Sequence, residues 1–167
     1  DMSDKIITTA TFGILVYDEN GDCILTNEAA ANIVGATQWQ VLAQNFRRIN
    51  SWKETGLIEL AEKAIRTQRE QQSEIRVRTT FGAERWLNCK FNIFKSNEKH
   101  HLLLIFEDIT ERKKSEETLK SAIEFNKMLG HSTLEDIINF GLEEAVRLTS
   151  SECGYFHFVN PDQKTIA

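Results

Sequence analysis

The sequence predicts an α+β fold: a five-stranded antiparallel sheet with helices on one face, then a helical linker and an incomplete second α/β unit. Three observations carry this. A hairpin pattern opens the chain, a cluster of helical segments follows it, and two period-two runs and a strand-length apolar run, joined by turns, lead to residue 107. Two strands, then helices, then three consecutive strands is the order that gathers helices on one side of an antiparallel sheet.

Phe12 to Asp18 is apolar and rich in strand formers, and Glu19-Asn20-Gly21-Asp22 turns the chain back into Cys23 to Thr26. Asn20-Gly21 is expected to supply the positive φ angles of a tight turn. Asn27 is placed to cap an alanine-rich helix over Glu28 to Val34, with Gly35 as its stop. Thr37 to Leu42 suggests a further short helix. Leu57 to Thr67 places Leu57, Leu60, Ala61, Ala64 and Ile65 on one helical face. The period then becomes two. Ile75, Val77, Thr79 and Phe81 alternate with polar residues, and Gly82-Ala83-Glu84 turns the chain. Leu87, Cys89, Phe91 and Ile93 alternate with Trp86, Asn88, Lys90 and Asn92. Ser96-Asn97-Glu98-Lys99 turns it again, and His101 to Glu107 completes a meander.

A chain of 167 residues is long enough for one domain and part of another. With 41% hydrophobic and 27% charged residues it can build a core without metals or disulfides. A net charge of −5 lacks the basic footprint of a nucleic-acid binder. Cys23, Cys89 and Cys153 form no CxxC pair, which speaks against a zinc ribbon or disulfide framework and for a reducing, cytoplasmic setting. No apolar run approaches the ~20 residues of a membrane span, and no signal peptide is visible. This segment is therefore expected to make no membrane contact.

Three zones result: a first domain over 1–110, a charged helix over 111–130, and the start of a further unit over 131–167. In the helix, Thr110 is a plausible N-cap and Glu111 suits the first turn. Lys113 with Glu117 and Glu116 with Lys120 are spaced to pair, at only about 0.2–0.5 kcal/mol each. Ile109, Glu116, Leu119, Ile123 and Asn126 form a weak heptad seam, readable as a solvated linker or as a parallel two-stranded coil in a homodimer. In the third zone Ser132 is expected as N-cap with Glu135 three positions on. Leu134, Ile137, Ile138, Leu142, Ala145 and Leu148 line one helical face. Gly154 to Val159 reads as a strand, 160–163 as a turn, and 164–167 as the start of another strand.

The segments "FGILVYDENGDCILTNEAA", "RWLNCKFNIF" and "HHLLLIFEDITERKKSEETL" resemble the opening and closing strands of a PAS domain. The most specific piece is Asp108-Ile109-Thr110-Glu111-Arg112-Lys113, which resembles the Asp-x-Thr junction between a PAS sheet and its output helix. "QNFRRINSWKETGLIELAEKAI" resembles a subset found in multidomain sensor histidine kinases. The resemblance covers about residues 8 to 120, and the third zone resembles the beginning of a GAF domain. It implies a sensory module that detects a small ligand, redox state or partner and signals through the helix to a downstream output domain, a histidine kinase. It also implies that Asp108 pairs with Arg112 across the hinge, with Asp108, Thr110 and Arg112 carrying the signal. The alternative is a ligand-free PAS used for dimerisation or protein interaction.

A PAS pocket would lie between sheet and helices, and the candidate lining is Phe46, Ile49, Trp52, Leu57, Leu60, Ile65, Leu87, Cys89 and Phe91. The same residues could simply fill a core. Asn88-Cys89-Lys90-Phe91 superficially matches the flavin-linking motif of LOV domains, but it sits in a late strand instead of a mid-domain helix. A buried core cysteine is the better reading, which argues against FMN chemistry of that type. Histidine-ligated haem is disfavoured because Leu57 to Thr67 holds no histidine and no CxxCH motif exists. FAD or a small organic ligand stays compatible. Trp86 and Asn88 share the opposite strand face and point outward. His131 lacks the acidic neighbour of a phosphoacceptor, and no nucleophile elbow or ATP-binding motif is present, so the chain is read as non-catalytic.

Overall fold

Asn27 shows how the first domain is tied together. In the computed structural model, which describes residues 2–157, this side chain is only 2% exposed. Its Oδ1 accepts from Ala30 N at 2.9 Å, capping the helix α2 (Glu28–Val34). The same oxygen accepts from Ile14 N at 3.0 Å in strand β1 (Gly13–Tyr17). Its Nδ2 donates to Phe12 O at 2.9 Å and to Ile7 O at 3.2 Å in α1 (Met2–Thr9). One amide thus satisfies backbone groups of three segments that burial would otherwise leave unpaired. Helix α1 carries no sequence signal strong enough to have been expected.

The remaining elements of this domain are β2 (Cys23–Thr26), α3 (Gln38–Leu42), a 3₁₀ turn at Phe46–Arg48, α4 (Asn50–Thr55) and α5 (Leu57–Thr67). They are followed by β3 (Gln71–Arg78), β4 (Glu84–Ser96) and β5 (Lys99–Asp108). The sheet is antiparallel throughout, in the order β2-β1-β5-β4-β3. The last strand is therefore central, flanked by the opening hairpin on one side and the meander on the other. The core lies between one sheet face and the helices. Tyr17, Phe46, Ala61, Ala64 and Phe91 are 0% exposed there, joined by Leu57, Cys89, Leu104 and Phe106 at 2% or less.

The α+β reading is thus the architecture found, with some local departures. In the opening hairpin only Gly21 has positive φ; Asn20 does not. Asp18 explains why. Its O accepts from Gly21 N at 3.0 Å, and its Oδ1 accepts from both Asn20 N and Asp22 N at 2.9 Å. This side-chain-braced turn, with a bulge between Val16 and Tyr17, replaces the two-residue mirror-image turn. Strand β3 begins earlier than expected and ends at Arg78. Thr79 and Phe81 belong to the turn, where Thr79 Oγ1 donates to Val34 O at 2.7 Å. Neither the 3₁₀ turn nor α4 was anticipated.

The chain divides into two compact units, Asp1–Glu111 and Arg112–Ala167. The second holds most of α6 (Thr110–Met128) and α7 (Leu134–Thr149), neither of which buries a residue fully. Within it Phe125 and Phe140 meet at 6.5 Å between ring centroids. Arg147 lies 2.8 Å from Glu144 and 3.6 Å from Glu117, and Ser121 Oγ donates to Glu144. The cap of α7 is Thr133 with Asp136 instead of Ser132 with Glu135, one residue later than the sequence suggested. Glu116 pairs with Arg112 at 2.6 Å and Lys113 at 3.6 Å, not with Lys120. Residues 154–157 form no strand; the rest of that expected strand, the turn at 160–163 and the strand at 164–167 lie outside the described residues.

Candidate functional site

The end of β5 is the first place where chemistry concentrates. Thr110 was expected as the N-cap of α6, but it is the first helical residue. The cap is the Asp108 carboxylate, whose Oδ1 accepts from Thr110 N at 2.9 Å and from Thr110 Oγ1 at 2.5 Å. The Thr110 hydroxyl oxygen in turn accepts from Trp86 N of β4 at 3.0 Å, and Ile109 N donates to Trp86 O at 2.8 Å. On its other oxygen Asp108 faces Arg85, with Nε 3.1 Å from Oδ2. That contact is an ion pair without hydrogen-bond alignment. At about one-third exposure on both side chains it contributes at most ~1 kcal/mol. Residues 85–86 and 108–110 therefore form a clasp that fastens the helix start to the strand beside β5. Arg85 and the Trp86 backbone are members that the sequence alone did not reveal. Ile109 is 8% exposed and belongs to the sheet domain, so the heptad seam cannot begin there.

The second concentration is the interior around Trp52. Its ring meets Tyr17 at 5.6 Å and Phe91 at 5.8 Å, both edge-on, and Phe46 at 5.8 Å, tilted. Tyr17 also meets Phe46 edge-on at 5.4 Å. The Tyr17 hydroxyl is buried without a hydrogen-bond partner. Burial first, then the thiols of Cys23 and Cys89, pushes its pKa well above the ordinary phenol value. Burial likewise raises Cys23 to about 11 and Cys89 to about 12, which leaves both thiols protonated and unreactive at neutral pH.

Next to Trp52 a cavity of about 40 Å³ opens between the C-terminal end of α2, the α3–α4 segment and the β3–β4 hairpin. Engineered apolar cavities near 150 Å³ take benzene, so this one suits waters or a molecule of few atoms.

Residues 1–109 match the PAS fold family. The chain belongs to that family. Over 87 residues it is 37% identical to the methyl sulfide methyltransferase-associated sensor of Methanosarcina acetivorans. That match spans 48% of this chain and 9% of the relative. Among solved structures it is similar to the PAS domain of a two-component sensor histidine kinase, with TM-score 0.54 and 14% identity over 64% of this chain and 93% of that one. It is also similar to a PAS domain from Colwellia psychrerythraea, with TM-score 0.57 and 20% identity over 66% of this chain and 96% of that one. These identities establish a shared fold.

Within the PAS domain the nine expected lining residues separate. Ile49, Trp52, Leu57 and Leu87 border the cavity. Phe46, Cys89 and Phe91 are core residues with at most 1% exposure, and Leu60 and Ile65 are half-buried against that core. The cavity's polar members, Gln44, Ser51, Thr79 and Thr80, were not singled out from sequence. Short helix α4 escapes periodicity reading, and with it the buried Ser51. Cys89 faces the core from mid-strand. Trp86 and Asn88 lie half-buried on the other face of β4. His101 stacks on Phe94 at 5.2 Å, and His131 is exposed between α6 and α7. Among the described residues no group of three or more His, Cys, Asp or Glu is placed to hold a metal, and no helix is long and apolar enough to cross a membrane.

Proposed function

We propose that this PAS domain is a sensory module whose signal leaves through α6. A small ligand, redox change or partner alters the sheet domain. The clasp at Asp108, Thr110 and Arg85 then passes the change into the helix and on to an output module of the same polypeptide, a cytoplasmic histidine kinase. The observation that carries this reading is the double role of Thr110. It is the first residue of the 19-residue α6 and the acceptor for the Trp86 amide of β4. A change in β4 therefore bears on the first helical turn with no flexible residue between. Asp108 is further assigned a pairing with Arg112, which would compete with the 2.6 Å contact of Arg112 to Glu116. Leu119 and Ile123, 62% and 47% exposed, suit a parallel coil with a second copy. A weak seam suits a switch, because two registers then differ by little. Residues 131–167 are read as the beginning of a GAF-like unit.

The test is an Asp108→Ala variant of the chain joined to its output module. Loss of signal response with an intact sheet domain is expected. Full response would remove the clasp from the mechanism.

A ligand-free interaction module is the second reading. It is favoured by the interior that Trp52 fills and by the small size of the adjoining cavity. Mass spectrometry of small molecules released from the purified protein separates the two.

A further inference from the structure

The two edges of the sheet are finished differently. β2, at one end, has four residues, and its outer side is partly covered. Cys23 N donates to Gln44 O at 3.0 Å, and Asp22 bridges Asn45. β3, at the other end, has eight residues, all paired with β4 on one side. Among the described residues no strand lies on its other side. An edge of that length is a template for a further strand.

The side chains of β3 select which strand. Gln72, Glu74, Arg76 and Arg78 are exposed on the face away from the core, while Ile75 and Val77 are buried on the core face. Consider β3 paired antiparallel with β3 of a second copy, about a two-fold axis normal to the sheet. Each face then continues into its like, and the helices of both copies stay on one side. With Ile75 on the axis, Glu74 lies opposite Arg76 of the second copy, and Arg76 opposite its Glu74. Gln72 and Arg78 face each other in the same way. Moving the axis by one residue, to Glu74 or to Arg76, sets two like charges against each other. Opposite charges across a strand pair are favourable and like charges unfavourable, so the sequence of β3 is self-complementary in one register. Within the chain Arg76 lies 3.7 Å from Glu84 with both side chains more than 60% exposed, a contact that gives up little on re-pairing.

We propose that this chain forms a two-fold dimer in which the two β3 strands pair edge to edge into a continuous ten-stranded sheet. The interface goes beyond the sensory reading and depends neither on it nor on the coil at α6. It bears on the clasp by position, since Arg76 pairs with Trp86 and Val77 with Arg85 in β4.

One strand pair is small against the ~1,200–2,000 Å² of a standard interface, so a dissociation constant of roughly 10–100 μM is expected. Analytical ultracentrifugation of the 167-residue chain across that range measures it. Glu74→Arg and Arg76→Glu each turn two attractions into two repulsions and should weaken the dimer at least about tenfold. An equimolar mixture of the two variants should dimerise again, because the two introduced charges then face each other and so do the two native ones. Amide exchange supplies the backbone readout. In the parent chain alternate amides of β3, those not bonded to β4, should gain protection as concentration rises. A parent chain that stays monomeric overturns the proposal, as does a dimer indifferent to both charge reversals or a mixture that fails to associate. Loss of the dimer in Ile123→Asp with its retention in Arg76→Glu also overturns it and places the second copy at α6. Should either charge variant lose its native circular dichroism, the concentration dependence of β3 exchange in the parent chain decides alone.

Discussion

The two units of this chain are stabilised by different means. The sheet domain has a continuous core in which six residues are wholly inaccessible, and its polar backbone is knitted by Asn27 and the clasp. The helical pair has no fully buried residue, and Leu119, Leu129 and Leu134 are each more than half exposed. Among the described residues its helices meet at the Phe125–Phe140 pair and through a polar network of Ser121, Glu117, Glu144 and Arg147. One unit can hold a shape by itself. The other leaves much of its apolar surface exposed. The division is what the proposed route requires, a domain rigid enough to register a small change and a helix free to repack.

Core truncation exposes the contrast most strongly. Trp52→Ala should cost the sheet domain about 3–5 kcal/mol, the range for emptying an aromatic site. Leu142→Ala on α7, half-buried, should cost well under half of that. Urea unfolding followed by near-UV signal for the first variant and by helix signal for the second measures both. Equal losses would mean that the helical pair carries a core of its own.

The two units should also fail at opposite ends of the pH scale. Cys89 is raised from 9.0 to about 12 and Cys23 from 9.0 to about 11. Their unfolded thiols ionise first, so the unfolded state releases protons that the folded state retains. The contribution of these two thiols to sheet-domain stability is therefore fully present below pH 9 and is lost as pH rises toward 11 and 12. In the helical pair Glu144 is lowered from 4.5 to about 2, chiefly by its hydrogen bond with Arg147 and then by that with Ser121. Its contribution is present above pH 4.5 and lost as pH falls toward 2. Circular dichroism melts at pH 3, 7 and 10.5 follow both limbs.

The smallest effect is the most diagnostic of the interior. Tyr17→Phe removes a hydroxyl that has no partner. It should be neutral or stabilising by up to about 1 kcal/mol, because an unsatisfied buried group costs ~1–3 kcal/mol to keep. A clear loss of stability would show that the hydroxyl has a partner, such as a bound water.

Much of the fold was legible because its periods are clean. Strand β4 alternates from Trp86 to Ile93, β5 carries a strand-length apolar run over Leu102 to Phe106, and α2 and α5 show their caps or their apolar faces. What escaped had no local signal. Helix α4 has six residues, with Ile49 at its N-cap and no side-chain cap bond. The Asn20-Gly21 pair suggested a mirror-image turn, but three hydrogen bonds to Asp18 favour another. For the site, apolar period placed Ile49, Trp52, Leu57 and Leu87 in the right neighbourhood. It could not place Ser51, whose burial comes from the tertiary position of α4. Nor could it pair Arg85 with Asp108, because ion-pair partners across strands depend on register.

The central claim is that the helix start is fastened to β4 through Thr110 and Asp108. Amide hydrogen exchange in Thr110→Val, read residue by residue against the parent chain, tests it most directly. The account predicts at least tenfold faster exchange at Trp86, Ile109 and the first turn of α6, with Leu104 and Phe91 unchanged. Unaltered exchange at the α6 first turn would show that the helix does not depend on the clasp, and the proposed route from sheet to helix would be wrong.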